Sequence, residues 1–298
     1  MIFLKKFPNL TVAISCLFWG TYWIPLRFID RSSNSSVWPI ILSFIFLALI
    51  LIFPLYQTIK DIFFKKNFFF LFACVFCAFA ITLYSESLLR GEIAKVVILF
   101  YLCPIWGTIL ARIFLNQRFN FVRISSIMFG LIGLEIIVGF DQGIFIPSTI
   151  VEWLAITAGF SWSVGMVFFH LAKSTSGINK TSITALLIPF LFLIFTLVPG
   201  GRSLEYSNFI FDDISIFFWI ICFGLVWILP SIFLTYISVE VLDPGRINIL
   251  LAFEVVVGFL SANFLTNEII GLREIFGAFF VISACLIDVF FNNIKVKN

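Results

Sequence analysis

Uninterrupted apolar runs, each about as long as a bilayer crossing, recur ten times along this chain. A helix needs about 20 predominantly apolar residues to cross the hydrocarbon of a membrane. Runs of that kind occupy roughly 10–28, 38–57, 68–89, 93–115, 123–140, 150–173, 181–199, 214–237, 245–266 and 272–291. They are continuous rather than alternating, so they do not suit the strands of an outer-membrane barrel. Only 12% of the residues are charged against 61% hydrophobic. Soluble domains carry about 25% charged residues, so this chain could not cover its own surface in water. The expectation is an all-α integral membrane protein with ten transmembrane helices.

The net charge of +3 does not mark a nucleic-acid binder, because the basic residues are spread over short segments between the apolar runs. Their distribution bears on orientation instead. With the N-terminus inside, the cytoplasmic side receives Lys5, Lys6, Lys60, Lys65, Lys66, Arg112, Arg118, Arg123, Lys173, Lys180, Arg246, Lys295 and Lys297. The other side receives Arg27, Arg31, Arg90, Lys95, Arg202 and Arg273. Both termini are therefore expected in the cytoplasm. No small-x-small cleavage site follows the first apolar run, so it does not read as a cleaved signal. The longest polar interruption, Gly200 to Asp213, reads as a loop. The six cysteines all fall in apolar runs, and Cys74-x-x-Cys77 reads as a pair of small buried side chains rather than a redox or metal site.

The run from Asp243 to Glu268 is set apart by Glu254 near its middle. An acid at the centre of a membrane helix costs roughly 2.5–3.5 kcal/mol on insertion scales, and such residues cluster on transport pathways. Two readings stand: a cavity carboxylate that meets a cationic substrate group or carries a proton, or a buried acid hydrogen-bonded between helices. The same stretch has an earlier counterpart. A shift of 151 residues carries Glu92-Ile93-Ala94-Lys95 onto Asp243-Pro244-Gly245-Arg246, Gln117 onto Glu268 and Ser126 onto Gly277. A shift of 143 carries Trp19 onto Trp162 and Arg27 onto His170. Two halves of five spans each, 1–145 and 146–298, follow. An odd number of spans inserts the halves in opposite senses, the inverted-repeat arrangement of secondary transporters.

These features resemble the drug/metabolite transporter superfamily, in particular its ten-span EamA-type members. The resemblance rests on Trp19-Gly20, Trp162-Ser163, Ala94 to Gln117 and Gly245 to Glu268. The family pattern puts a Leu-Glu-Pro-like element in each half, followed by Gly-Glu and then a small residue. The first half here reads Leu102-Cys103-Pro104 with Gln117 in the Glu position, and the second reads Phe253-Glu254-Val255 with Asn267-Glu268. The resemblance implies that spans 1, 3, 4, 6, 8 and 9 surround a central cavity, with spans 5 and 10 at the periphery.

The candidate substrate-binding residues are Glu254, Trp19, Tyr22, Trp23, Tyr101, Trp106, Trp162, Trp227 and Glu86. Trp and Tyr normally gather at the membrane interfaces, so their presence at mid-depth is a signal. Aromatic faces beside a carboxylate suit an organic cation or an amino acid. Packing between helices is the other reading of the same side chains. Glu268 and Gln117 read as capping or loop-anchoring residues, Lys95 and Arg246 as pins for helix ends, and Pro25, Pro104 and Pro230 as kinks.

The expected activity is secondary active transport of a small polar metabolite by alternating access. An amino acid or related amine, exported, is the first reading; import of an organic cation such as a quaternary amine is the alternative. No G-x-x-x-x-G-K-[ST] motif is present, and one histidine with scattered acids argues against an enzyme. No cofactor or metal is expected. The expected partners are the small-molecule substrate, a coupling proton or ion and the lipid bilayer, and a homodimer is compatible with the sequence. A bacterial inner membrane is the expected location.

Overall fold

The computed structural model describes residues 2–33, 36–65, 67–91, 93–117, 121–138, 147, 149–172, 175–197, 214–266 and 271–291. The loop from Gly200 to Asp213, Glu268, the boundary at 145/146 and the side chain of Lys95 lie outside what it describes. Among the described residues every regular element is a helix. They run α1 Ile2–Lys6, α2 Pro8–Thr21, α3 Trp23–Ser32, α4 Trp38–Ile50, α5 Ile52–Lys65, α6 Phe68–Arg90, α7 Ile93–Phe100 and α8 Cys103–Leu115. They continue with α9 Phe121–Val138, α10 Ile150–Leu171, α11 Gly177–Phe195 and α12 Ile214–Cys222. A π-helical turn at Phe223–Ile228 leads into α13 Leu229–Ser238, followed by α14 Pro244–Leu251, α15 Phe253–Thr266 and α16 Leu272–Phe291.

Five stretches among these are long and apolar enough to cross a membrane: Pro8–Ser32, Phe68–Arg90, Ile150–Leu171, Gly177–Phe195 and Ser215–Ser238. The pair α4 and α5 makes a sixth if counted as one. The chain is a multi-pass membrane protein. Many large apolar side chains remain exposed, Phe53, Phe68, Phe264 and Phe279 among them, as a surface facing lipid requires.

The apolar run 38–57 is not one straight crossing. It bends by 75° at Leu51, between α4 and α5. Pro54 has no N–H for the carbonyl of Ile50 and its ring crowds that carbonyl, so the helix turns there. Lys180 departs from expectation more sharply. Assigned by sequence to the loop cations, it lies instead on the first turns of α11 and is completely buried.

Two further runs are broken near their midpoints, between α7 and α8 at Tyr101-Leu102 and between α14 and α15 at Ala252. The 151-residue offset of the sequence repeat carries Tyr101 onto Ala252. A break frees backbone carbonyls, which must find other donors away from water. Val255 N–H donates to Ala252 O at 3.1 Å, leaving the Leu251 carbonyl to the Tyr101 hydroxyl at 2.5 Å. The Cys16 thiol approaches Leu250 O at 3.5 Å. On the other side, Pro104 cannot donate to Phe100 O, and α10 passes this exposed carbonyl at Gly159. A Cβ at Gly159 would collide with Phe100 O itself. Gly159→Ala therefore forces two helix backbones apart and is expected to cost about 1–3 kcal/mol, read as a lower thermal midpoint of purified protein; an unchanged midpoint would mean that the approach relaxes freely.

An ion pair joins the two halves of the sequence. Arg123 at the start of α9 donates to both oxygens of Asp243, at 2.8 and 2.9 Å. Asp243 also caps α14, accepting from Arg246 N–H at 3.1 Å, and Gln117 Oε1 accepts from Arg123 at 3.1 Å. Arg246 reaches on to Val289 O at 3.0 Å and Asp288 at 3.7 Å, which pins α14 to α16.

Candidate functional site

Glu254 lies in the first turn of α15, just past the break at Ala252, and is buried. Its Oε1 accepts from the Tyr84 hydroxyl of α6 at 2.9 Å, and Oε2 lies 2.7 Å from the Tyr101 hydroxyl at the α7–α8 break. Tyr101 has one hydroxyl proton but lies within bonding distance of two acceptors, Leu251 O and Glu254. A proton on the carboxyl completes the set, with Glu254 donating to Tyr101 while Tyr101 donates to Leu251. No cationic side chain pairs with Glu254 among the described residues.

The carboxyl group faces a small cavity walled by Trp19, Tyr84, Phe100 and Trp162 and closed by Ala80, Ile81 and Leu251. Trp19 and Trp162, one in each half and matched by the 143-residue offset, meet edge to face with ring centroids 5.9 Å apart. Trp19 is held from behind, its indole N–H donating to Ser231 O at 3.1 Å with Thr235 Oγ1 at 3.3 Å. Tyr84 packs on Phe100 at 4.4 Å. The free space is about 10 Å³, the room needed for roughly one water molecule. In this conformation the site is closed, and a larger occupant requires the aromatic walls to part.

Of the nine residues singled out by sequence, Glu254, Trp19 and Trp162 thus form the cavity wall, and Tyr101 reaches the carboxyl group. The others lie elsewhere: the polar atoms of Tyr22, Trp23 and Trp227 bond to other helices, Glu86 pairs within its own helix, and Trp106 is held by ring packing. Tyr22 bonds Ser85 at 3.0 Å and packs on Phe223, while Trp23 donates to Ser261 at 3.1 Å. Trp227 donates to Thr21 at 3.0 Å, and Trp106 packs edge to face on Phe160 at 5.7 Å. Glu86 is held one turn away by Arg90 at 2.7 Å. Arg27 caps the end of α6, donating to Leu88 O at 2.8 Å and Gly91 O at 2.9 Å. Sequence reasoning missed Tyr84 and Phe100. Tyr84 carries the same signal as Tyr101, a tyrosine inside an apolar run; Phe100 carries none among so many phenylalanines.

Residues 6–139 match the EamA-like transporter family. Over those residues, a little under half of its length, the chain is similar to that family. The match suggests a membrane transporter of the drug/metabolite type. A solved structure titled only "Crystal structure of protein" is 13% identical, with a TM-score of 0.66 over 94% of this chain and 96% of its own. That likeness shows a fold shared with that structure over nearly the whole chain. No functionally curated protein matches the sequence.

Proposed function

We propose that this EamA-like protein is a secondary active transporter that carries a small polar metabolite with an amine group by alternating access around Glu254. The observation that carries the reading is a buried carboxyl group facing a closed, aromatic-walled cavity, with no cation to pair it among the described residues. A substrate ammonium or a coupling proton supplies the missing charge, and the aromatic faces add cation–π attraction. The proposal includes ten spans in two inverted halves, 1–145 and 146–298, with α7–α8 and α14–α15 each serving as one broken span. The matched breaks at Tyr101 and Ala252 and the meeting of Trp19 with Trp162 support that arrangement. It also includes an inner-membrane location with cytoplasmic termini, from the distribution of Lys and Arg. An amino acid or related amine, exported, is the first reading. The aromatic walls favour as a second reading an imported quaternary amine, which needs no hydrogen bond from the carboxyl group.

A thermal-stability screen of purified protein against amino acids, primary amines, quaternary ammonium compounds and sugars tests this. A ligand at a hundred times its dissociation constant stabilises the folded state by about 2.7 kcal/mol. Stabilisation by amino acids or primary amines supports the first reading, and by quaternary compounds alone the second. Stabilisation by sugars with no response to any amine would overturn both.

A further inference from the structure

Among the described residues, the walls of the Glu254 cavity carry one carboxyl group and no cationic side chain. Three other lining residues bear a polar hydrogen: Tyr84, Trp19 and Trp162. Two of these hydrogens are in use. The Tyr84 hydroxyl donates to Glu254 Oε1 at 2.9 Å, and the Trp19 N–H donates to Ser231 O at 3.1 Å. The indole nitrogen of Trp162 is buried and has no hydrogen-bond partner among the described residues. A buried N–H without an acceptor is costly, so of the three donors this one gains most from an occupant. Its ring is held in place: Tyr236 stacks on it with centroids 6.1 Å apart, and Trp19 meets it edge to face. The next residue, Ser163, anchors α10 to the first broken span, donating to Cys103 O at 2.9 Å. A donor fixed in this way loses little further freedom when a ligand arrives.

The acceptors are gathered at the acid. When the proton on Glu254 gives way to an ammonium, the carboxylate offers two oxygens and the Tyr84 oxygen keeps a lone pair, which suits the several N–H groups of a primary amine. What is left over is one neutral donor, the Trp162 N–H. Its match is one uncharged acceptor, a hydroxyl or an amide carbonyl. A carboxylate does not match: it brings a second negative charge beside Glu254, with a single N–H for its two oxygens and no cation on the described walls. The complement of the cavity is therefore a single positive charge with a neutral acceptor beside it. Glu254 and Trp162 border the same small space of about 10 Å³, so adjoining groups of one small molecule can meet both.

We propose that Trp162 is a specificity-determining residue that donates to a neutral acceptor adjoining the substrate ammonium, so that the cavity selects monocationic amino amides and amino alcohols over zwitterionic amino acids. This rests on the reading of Glu254 as the amine site and, within it, favours related amines over amino acids themselves. Leucinamide, leucinol, isoamylamine and leucine share one side chain and differ in the group beside the amine. Their dissociation constants, and those of the phenylalanyl counterparts, are measured on purified full-length wild type and Trp162→Phe. Wild type is expected to bind leucinamide and leucinol about fivefold more tightly than isoamylamine, the effect of one hydrogen bond. Leucine is expected to bind at least about tenfold more weakly than leucinamide. Trp162→Phe keeps an aromatic wall without the N–H, so it should hold isoamylamine as wild type does and lose the preference for leucinamide and leucinol. Leucine binding as tightly as leucinamide overturns the selection by charge, and a preference that survives in Trp162→Phe overturns the role of Trp162. If that variant does not fold, the wild type decides: equal binding of leucinamide, leucinol and isoamylamine overturns the proposal. If no amine of either series binds, the reading of Glu254 itself falls and takes this proposal with it. If the amines bind in another order, the proposal falls and the reading of Glu254 stands.

Discussion

Glu254→Gln is expected to reduce amine transport in proteoliposomes by about ten- to a hundredfold and to erase the stabilisation that amines confer on the wild type. Glutamine keeps the size of the side chain and can still accept from Tyr84 or Tyr101, so the helices around it should hold. It lacks the charge that meets an ammonium and the site that takes up a proton. A hydrogen bond to a charged group contributes roughly 1.5–3 kcal/mol, and cation–π attraction from the aromatic walls cannot replace it. Each 1.36 kcal/mol is about tenfold in rate, which sets the scale of the loss. Folded stability should stay level, because the amide can accept from Tyr84 and donate to Tyr101 as the protonated carboxyl group does. If the variant transports at the wild-type rate, Glu254 is a strut tying α15 to α6 and to the α7–α8 break, and the substrate site lies elsewhere.

Asp243→Ala is expected to destabilise the protein by about 3–5 kcal/mol, the usual cost of breaking a buried ion pair from one side. Arg123 is almost wholly buried, with 3% of its side chain exposed, so its charge cannot turn to water once Asp243 is removed. The change also removes the cap of α14, where Asp243 accepts from Arg246 N–H at 3.1 Å, a loss of typically about 1 kcal/mol by itself. The double substitution Arg123→Leu with Asp243→Leu should recover most of the ion-pair cost but not the cap, because no buried charge is then left alone. Thermal unfolding of the single and double variants measures both. A single variant as stable as the wild type would show that water reaches Arg123. Because α9 and α14 belong to different halves, the same pair ties the two together at one end of the bundle.

Much of this protein is legible without coordinates. Continuous apolar runs in a chain with so few charges leave no fold but membrane helices. Pro104, one of the prolines read as kinks, marks a break by removing a backbone donor, whereas the bend before Pro54 is not anticipated by that reading. Glu254 stands out because an acid at that depth needs a reason. Lys180 was misplaced for an instructive cause: from the sequence it sits at the edge of an apolar run, where a lysine normally reaches to the interface. Only its neighbours on α6, α10 and α13 keep it from doing so.

The sequence by itself determined the helical membrane class, the acid at mid-depth and the paired tryptophans, because length, charge and spacing are properties of one strand of residues. Only the tertiary structure decided which aromatics enclose Glu254, why Tyr84 and Phe100 belong among them, and why Tyr22, Trp23, Trp106 and Trp227 do not. A helix between lipid and other helices is apolar on every side, so its pattern carries little information about which face looks inward. The same holds for the Leu251 carbonyl at the break in α14–α15. It meets Tyr101 across 150 residues of chain, and no local pattern records a contact made between two broken helices.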